Sequence, residues 1–106
     1  MSKFYYLDVS LKLASEPEQL QPVYFKSCLE RSLVKIFGEI GGLTTLDVLK
    51  FDAVRSRAIV RVPVEFYVKL RTAITLTGEF QDIDCAFVVN KAAPLLLGLT
   101  DSFLEL

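Results

Sequence analysis

Apolar and polar residues alternate strictly at the start of the chain, in the stretch FYYLDVSLKL. A period of two is typical of a β-strand with one buried face, so we predict such a strand here. One predicted face carries Tyr5, Leu7, Val9, Leu11 and Leu13, and the other carries Phe4, Tyr6, Asp8, Ser10 and Lys12.

The spacing of apolar residues changes to that of a helix between Pro22 and Phe37. Pro22 suits the first helical position, and Gly38 is expected to end the helix as its C′ residue. The Gly-rich stretch GEIGGLTT that follows lacks the spacing and the Lys-Ser/Thr ending of a phosphate-binding P-loop, so it is interpreted as a helix stop and a turn. The predicted buried stripe consists of Phe25, Cys28, Leu29, Ser32, Leu33 and Ile36.

Three further strands and a second helix follow. TLDVLKFDA and SRAIVRVP predict two strands joined by a hairpin. EFYVKLRTAITLTG returns to helical spacing and ends at Gly78; its β-branched residues have low helix propensity, so packing must hold it. DIDCAFVVN predicts a fourth strand. The apolar face of the helix is Phe66, Leu70, Ala73, Ile74 and Thr77, and that of the strand is Ile83, Cys85, Phe87 and Val89.

The order strand, helix, strand, strand, helix, strand predicts an α+β, ferredoxin-like βαββαβ fold over residues 1–106, as one domain. Two helices would cover one face of a four-stranded antiparallel sheet, and the other face would be open to solvent or to a partner. For the segment from Lys91 to Leu106, a short helical turn beginning at Pro94 and a strand at the end are both compatible with the sequence.

The run VRSRAIVRVP places three arginines in the third predicted strand. Alternation puts Arg55, Arg57, Ile59 and Arg61 on one face. Ser56, Ala58, Val60 and Val62 would then meet the helices, so the arginines are expected on the open face. If that face is open, replacing all three arginines with glutamine should leave folding nearly intact.

Composition narrows the classes of function. Twelve cationic residues nearly balance thirteen acidic ones, for a net charge of −1, so contact with nucleic acid must come from a local patch. Hydrophobic residues make up 52% of the chain, a share that suggests an apolar surface for a partner. The start lacks a secretory h-region and the longest apolar run is too short to cross a bilayer, so we expect an intracellular soluble protein without membrane contact.

Catalytic chemistry has few candidates in this sequence. Histidine is absent, which removes the usual general base, Ser–His and Cys–His nucleophiles, and imidazole metal sites. Cys28 and Cys85 lie far apart and are interpreted as buried hydrophobic residues. Asp82 and Asp84 share a face and could form a carboxylate pair, although solvated turn acids are the simpler interpretation. We expect no catalytic residues, cofactor or metal.

Contact with RNA is the sharper hypothesis, because RRM domains of this fold stack bases on aromatic side chains of the sheet. The run RSRAIVRV lacks the aromatic residues of the RNP1 motif. A solvated face, a protein contact and an RNA contact therefore remain open. The RNA-contact candidates are Tyr6, Lys12, Arg55, Arg57 and Arg61, with Lys26, Arg31 and Lys35 as the second choice.

Three longer runs, IFGEIGGLTTLDVLKF, SRAIVRV and LTGEFQDIDCAFVVNKAAPLLLGL, resemble the family of the fourteen-kilodalton protein subunit of eukaryotic ribonuclease P. These are the Pop-type small subunits shared by ribonuclease P and ribonuclease MRP. The most telling pieces are FGE, LDVL, CAF and PLLLGL, and the likeness extends from about Phe25 to the C-terminus.

The resemblance implies a non-catalytic scaffold and RNA-contact subunit of a ribonucleoprotein that removes 5′ leaders from precursor tRNA, with hydrolysis performed by the RNA. It implies ribonuclease P RNA and other protein subunits as partners, especially a thirty-kilodalton TIM-barrel-like subunit, with precursor tRNA contacted indirectly. It also implies a nuclear and nucleolar location.

A partner surface is expected in the loops and the C-terminal segment, although the same residues could cap the protein's own core. Without a basic segment before the first strand, we expect weak independent RNA binding. Two rival functions are a metabolite-binding regulatory module and a small enzyme that uses carboxylates. The apolar residues of the expected partner surface are Ile40, Leu43, Leu95, Leu97, Leu99 and Phe103.

Overall fold

The computed structural model describes residues 3–14, 21–80 and 83–96, and within them five strands form one antiparallel sheet. The helices are α1 (Pro22–Gly42) and α2 (Tyr67–Leu76), and a 3₁₀ turn at Val64–Phe66 precedes α2. The sheet order is β2-β3-β1-β5-β4. The strands are β1 (Phe4–Leu13), β2 (Asp47–Asp52), β3 (Arg57–Pro63), β4 (Glu79–Phe80) and β5 (Ile83–Ala93).

This arrangement confirms the predicted ferredoxin-like order and the four main antiparallel strands. The addition is β4, which pairs with β5 at the edge of the sheet. A two-residue strand has no periodicity to detect, and the sequence therefore did not predict it.

One core lies between the sheet and the two helices. In the register of β1 and β3, Leu7 lies opposite Val60 and Val9 lies opposite Ala58, and all four are fully buried. This confirms the alternation predicted for both strands. Both helical stripes are confirmed in their central members, since the helices contribute Phe25, Cys28, Leu29, Leu33, Leu70, Ala73 and Ile74 to the same core.

Gly38 has φ +80° and ψ 170°, a conformation open essentially to glycine alone, but different from the αL conformation of the predicted C′ residue. The chain does not leave the helix there, however: it kinks and continues helically to Gly42. At Gly42 an added Cβ would lie 2.2 Å from the carbonyl oxygen of Leu33, so only glycine allows this close approach. After α2, Thr77 is extended and Gly78 does not have a positive φ.

The fourth predicted strand is longer than expected, because β5 continues to Ala93. Its inner side is confirmed by buried Phe87 and half-buried Cys85. A register shift opposite Asp8 and Val9 marks a β-bulge in the pairing with β1. Residues 94–96 form a bend and a turn, and the rest of the helical turn predicted through LLLGL, like the strand predicted at the end, lies outside the described residues. Asp82, Leu97, Leu99 and Phe103 lie outside the described residues.

Polar contacts join the helices to each other and to the sheet. The backbone N–H of Leu46 donates to the Glu30 carboxylate at 3.1 Å, which ties α1 to the start of β2. Lys69 donates to the carbonyl oxygen of Gly41, at the C-terminal end of α1, where a cation complements the helix dipole. In addition, the hydroxyl of Thr77 lies 2.9 Å from that of Ser32. None of the described helices is long and apolar enough to span a bilayer.

Candidate functional site

The sheet face away from the helices, called here the second face, holds four of the five predicted RNA-contact residues: Tyr6, Lys12, Arg57 and Arg61. Tyr6 on β1 lies opposite Arg61 on β3, and Arg57 lies opposite Ser10. Because the alternate residues of both strands are buried under the helices, the predicted assignment of faces is confirmed for these positions.

The centre of the second face is closed, so the expectation of a wholly open face is wrong. Ile59 is 3% exposed and Asp8 is 0% exposed. Tyr6 and Ala93 pack against Ile59 and form a small apolar cluster with it. The middle of this face is therefore removed from solvent.

A polar network surrounds the buried Asp8. The Arg57 Nε donates to one carboxylate oxygen at 2.8 Å, and its Nη2 donates to the other. The Asn90 amide donates to Asp8 at 3.3 Å and to the Ser10 hydroxyl at 2.6 Å. A buried carboxylate requires such partners. Arg57 is thus held by its own protein, and its side chain is only 18% exposed.

Sequence reasoning placed Asp8 on the outer face without assigning it a role, and it did not single out Asn90. One signal was present: aspartate is depleted in strands, and here it interrupts a run of aromatic and aliphatic residues. The alternation of apolar and polar residues did not predict the bulge that brings Asn90 beside Asp8.

Arg61 lies at one end of the second face, in a partly exposed position. Its Nε and Nη2 donate to one carboxylate oxygen of Asp47 at 3.1 and 2.9 Å. This hydrogen bonding raises the pKa of Arg61 further, so the guanidinium remains charged. The same guanidinium lies 4.6 Å from the centroid of the Phe4 ring. Cationic and aromatic groups are therefore adjacent here, as a stacking site for nucleic acid requires.

Arg55 is not on the strand, contrary to prediction. It lies in the turn between β2 and β3, where Ser56 has φ +53°. Asp52 accepts hydrogen bonds from the Arg55 backbone N–H at 3.1 Å and from its guanidinium at 3.3 Å. The backbone hydrogen bond is the main cause of a lowered pKa of Asp52. The turn occupies the positions that alternation assigned to the strand, so Ser56 does not belong to its core side.

Four of the five RNA-contact candidates form two groups instead of one patch, and the fifth, Arg57, lies between them. Leu11 donates its backbone N–H to Ser56, so exposed Lys12 and the turn with Arg55 lie at the same end of the sheet. Tyr6 and Arg61 lie toward the other end, about 20 Å along β1 from Lys12 at roughly 3.3 Å per residue. The buried pair of Asp8 and Arg57 separates the two groups.

Lys26, one of the second-choice cations, joins the Arg61 end. A cleft of about 420 Å³ beside the edge strand β2 is lined by residues of α1, β2 and β3. Arg31 and Lys35 are exposed elsewhere on α1. The lining residues of the cleft are Pro22, Val23, Lys26, Asp47, Val48, Leu49 and Arg61.

Within the described part of the chain, no group of three or more His, Cys, Asp or Glu side chains could hold a metal ion. Asp84 is exposed. Burial raises the pKa of the Cys28 thiol, an effect that nearby Arg31 opposes, so Cys28 has the inert character of a core residue.

Apolar residues of the expected partner surface are exposed wherever the structure describes them. Ile40, Leu43 and Leu95 are 101%, 71% and 64% exposed. These three side chains therefore do not cap the core.

Comparison with known proteins identifies relatives over nearly the whole chain. The mouse (Mus musculus) ribonuclease P protein subunit p14 is 34% identical over 104 residues, which are 98% of this chain and 85% of the mouse protein. The human (Homo sapiens) ribonuclease P protein subunit p14 is 31% identical over 105 residues, or 99% of this chain and 85% of the human protein.

A chain in the cryo-EM structure of yeast ribonuclease MRP has the same fold, with a TM-score of 0.70 at 16% identity. The match covers 99% of this chain and 92% of the yeast chain. The model of the Rpp14/Pop5 family matches residues 6–93, from the first strand to the end of β5. With most of the sheet and both helices inside that match, this protein belongs to the Rpp14/Pop5 family.

Proposed function

We propose that this protein is a non-catalytic subunit of the ribonuclease P ribonucleoprotein, which supports removal of 5′ leaders from precursor tRNA by scaffolding and RNA contact. The observation that carries the proposal is the family match over residues 6–93 together with 34% identity to a ribonuclease P protein subunit. Ribonuclease P RNA and other protein subunits are the proposed partners, in particular the thirty-kilodalton TIM-barrel-like subunit. The nucleus and nucleolus are the proposed location.

The side chains of the site support a non-catalytic role. The sequence contains no histidine, and the second face commits its central carboxylate to an ion pair with Arg57. A carboxylate buried against a guanidinium is a poor general base, because ion pairing stabilises its charged form. The RNA component is therefore proposed to perform the hydrolysis.

For the RNA contact, we propose the two groups at the ends of the second face. Lys12 and Arg55 offer exposed cations at one end, and Tyr6 and Arg61 offer aromatic and cationic groups at the other. Lys26, on α1, lines the cleft beside β2 together with Arg61 and adds a cation next to that second group. Arg57, which is paired with Asp8, contributes to the RNA contact mainly by positioning the neighbouring side chains. With three or four phosphate contacts, the slope of log K against log[salt] is about −0.7 per contact. The dissociation constant is then roughly 10⁻⁴–10⁻⁶ M. Protein contacts are therefore proposed to hold the subunit in the particle.

Affinity purification of the tagged protein from its own cells, with RNA and proteins identified together, tests the assignment. We expect ribonuclease P RNA and precursor-tRNA cleavage in the purified material. Purification without this RNA would contradict the proposal. The isolated protein should bind precursor tRNA weakly, and addition of the thirty-kilodalton subunit should create tight binding. Nanomolar binding by the isolated protein at physiological salt would contradict the weak-contact account.

Charge removal tests the location of the RNA contact. The double variant Lys12→Gln/Arg55→Gln should weaken binding of precursor tRNA to the reconstituted particle and reduce its salt dependence. The matched control, Arg31→Gln/Lys35→Gln, removes two cations from α1 and should have little effect. The opposite result would place the RNA contact on α1.

A further inference from the structure

The helix α2 is apolar on two sides, although only one side meets the core. Leu70, Ala73 and Ile74 are buried against the sheet and α1. On the opposite side, Val68 is 72% exposed and Leu76 is 64% exposed. This surface is named the outer stripe; it consists of Val68, Thr72, Thr75 and Leu76 on α2 and Val64 in the preceding 3₁₀ turn.

The outer stripe borders a cleft of about 500 Å³ whose lining also includes Tyr67 and Arg71. The hydroxyls of Thr72 and Thr75 donate to carbonyl oxygens of their own helix, each at 3.0 Å. The one donor of each hydroxyl is thus used within α2. The stripe therefore presents an apolar surface although two of its five residues are polar by type.

Such a surface is unusual for a helix that faces only water. Helices that are apolar on all sides are typical of helices buried on all sides, and exposed apolar patches mark interaction sites. Valine and threonine also lower helix propensity, so these positions do not serve the stability of an isolated helix. A protein surface that covers the stripe explains why the residues are apolar.

Charge distinguishes between possible occupants. The cleft contains the cation Arg71, whose Nη1 donates to the Tyr67 hydroxyl at 3.1 Å, and no carboxylate among its described lining residues. The segment from Val64 to Thr77 carries Lys69 and Arg71 against Glu65, a net charge of +1 (two cations less one anion). A partner surface with a carboxylate opposite Arg71 would be complementary.

A second copy of this chain fits poorly by the same criterion. If two α2 helices packed antiparallel about a two-fold axis, with Val64 opposite Leu76, the two Arg71 side chains would lie near the axis. No carboxylate among the described lining residues of the cleft would lie between them, and like charges in an interface are costly. RNA is also disfavoured, because phosphate and ribose gain little from exposed valine and leucine.

We propose that the outer stripe of α2 is a docking surface for a different protein subunit, one whose apolar surface carries a carboxylate opposite Arg71. This inference rests on the proposed function, because the partner is sought within the ribonuclease P particle. It adds an interaction surface distinct from the exposed Ile40, Leu43 and Leu95.

The test compares two substitutions of one residue in the tagged full chain, expressed in its own cells. Val68→Glu places a charge in the stripe, whereas Val68→Leu keeps that position apolar. Neither should unfold the protein, since Val68 is 72% exposed; thermal unfolding of the purified variants checks this. Val68→Glu should lower the ribonuclease P RNA recovered per mole of protein by about tenfold or more, equivalent to about 1.4 kcal/mol. Val68→Leu should not.

Arg71→Glu provides a second variant that leaves the apolar stripe intact. It should also reduce recovery of the RNA, through repulsion of the partner's carboxylate. If the wild-type protein recovers the RNA and both Val68→Glu and Arg71→Glu recover it equally well, the docking surface is refuted while the proposed function stands. If the wild-type protein recovers no ribonuclease P RNA, the proposed function itself fails.

Photo-crosslinking identifies the class of the occupant. A benzophenone amino acid replaces Val68 in the assembled particle, and Val54 in the matched control. An adduct with another protein subunit, at position 68 only, would support the proposal. An adduct with RNA, an adduct between two copies of this chain, or no adduct at position 68 would overturn it.

Discussion

Arg57 reaches diagonally from β3 to the carboxylate of Asp8 on β1, where its Nε and Nη2 each donate to a different carboxylate oxygen. Ile59 is the residue directly opposite Asp8, whereas Arg57 lies opposite Ser10. The ion pair therefore links positions two residues out of register, within the reach of a long side chain. It secures the pairing of β1 with β3 in the middle of the sheet.

Replacement of Arg57 with glutamine should destabilise the protein by about 3–5 kcal/mol, because it removes the guanidinium that pairs with the buried Asp8 carboxylate. Urea unfolding at neutral pH measures the loss of stability. Adding Asp8→Asn should recover part of this loss, since it removes the buried charge. Arg55→Gln is the matched control and should change the midpoint little, because that side chain is 51% exposed. Near-wild-type stability of Arg57→Gln would refute this role. The triple arginine variant is therefore expected to be destabilised, contrary to the expectation from sequence.

Gly38→Ala should destabilise the protein by about 1–3 kcal/mol, the strain of a side chain in this region of backbone space. The cost comes from conformation and not from a clash, since no atom lies within 4 Å of an added Cβ. Gly78→Ala is the control: its surroundings are equally open, and its φ is not positive. Thermal or urea unfolding should therefore separate the two alanine variants. Equal stabilities would show that the kink in α1 tolerates any residue.

The hydrogen bond from the Leu46 N–H to the Glu30 carboxylate oxygen should contribute to the free energy of unfolding. Leu46 is fully buried, so Glu30→Ala leaves a backbone donor without its partner, at a cost of about 1–3 kcal/mol. Glu30→Gln retains an acceptor oxygen and should lose less stability than Glu30→Ala. Chemical denaturation measures both variants, and hydrogen exchange at the Leu46 amide should accelerate in Glu30→Ala first. A larger loss in Glu30→Gln than in Glu30→Ala would contradict the assignment.

Asp52 should contribute to stability in a manner that depends on pH. Its folded-state pKa is lowered, chiefly by the backbone hydrogen bond from Arg55. The contribution is therefore fully present above the unfolded-state pKa, about 3.9, and is lost as the pH falls through the lower folded-state pKa. The stability difference between the wild-type protein and Asp52→Asn should be constant from pH 7 to 5 and shrink at more acidic pH. A difference that grew on acidification would reverse the sign and refute this account.

Periodicity alone was sufficient for most of the fold. The alternation around Leu7 and Val9, and the helical stripe through Phe25 and Leu29, identified the buried faces that the structure confirms. Periodicity was misleading at Arg55 and Ser56, because the period of two continued in sequence through residues that form a turn. It had no information on β4, because two residues make up a single period of the strand alternation and show no repeat.

The local sequence by itself determined which residues face the core, because burial of apolar side chains imposes its period on each strand and helix. Only the tertiary structure decided what the outward residues do. Arg57 and Arg55 have the same side chain and are two positions apart, yet one neutralises a buried carboxylate and the other lies in an exposed turn. Strand register, a bulge and a turn create that difference, and each depends on residues distant in the chain.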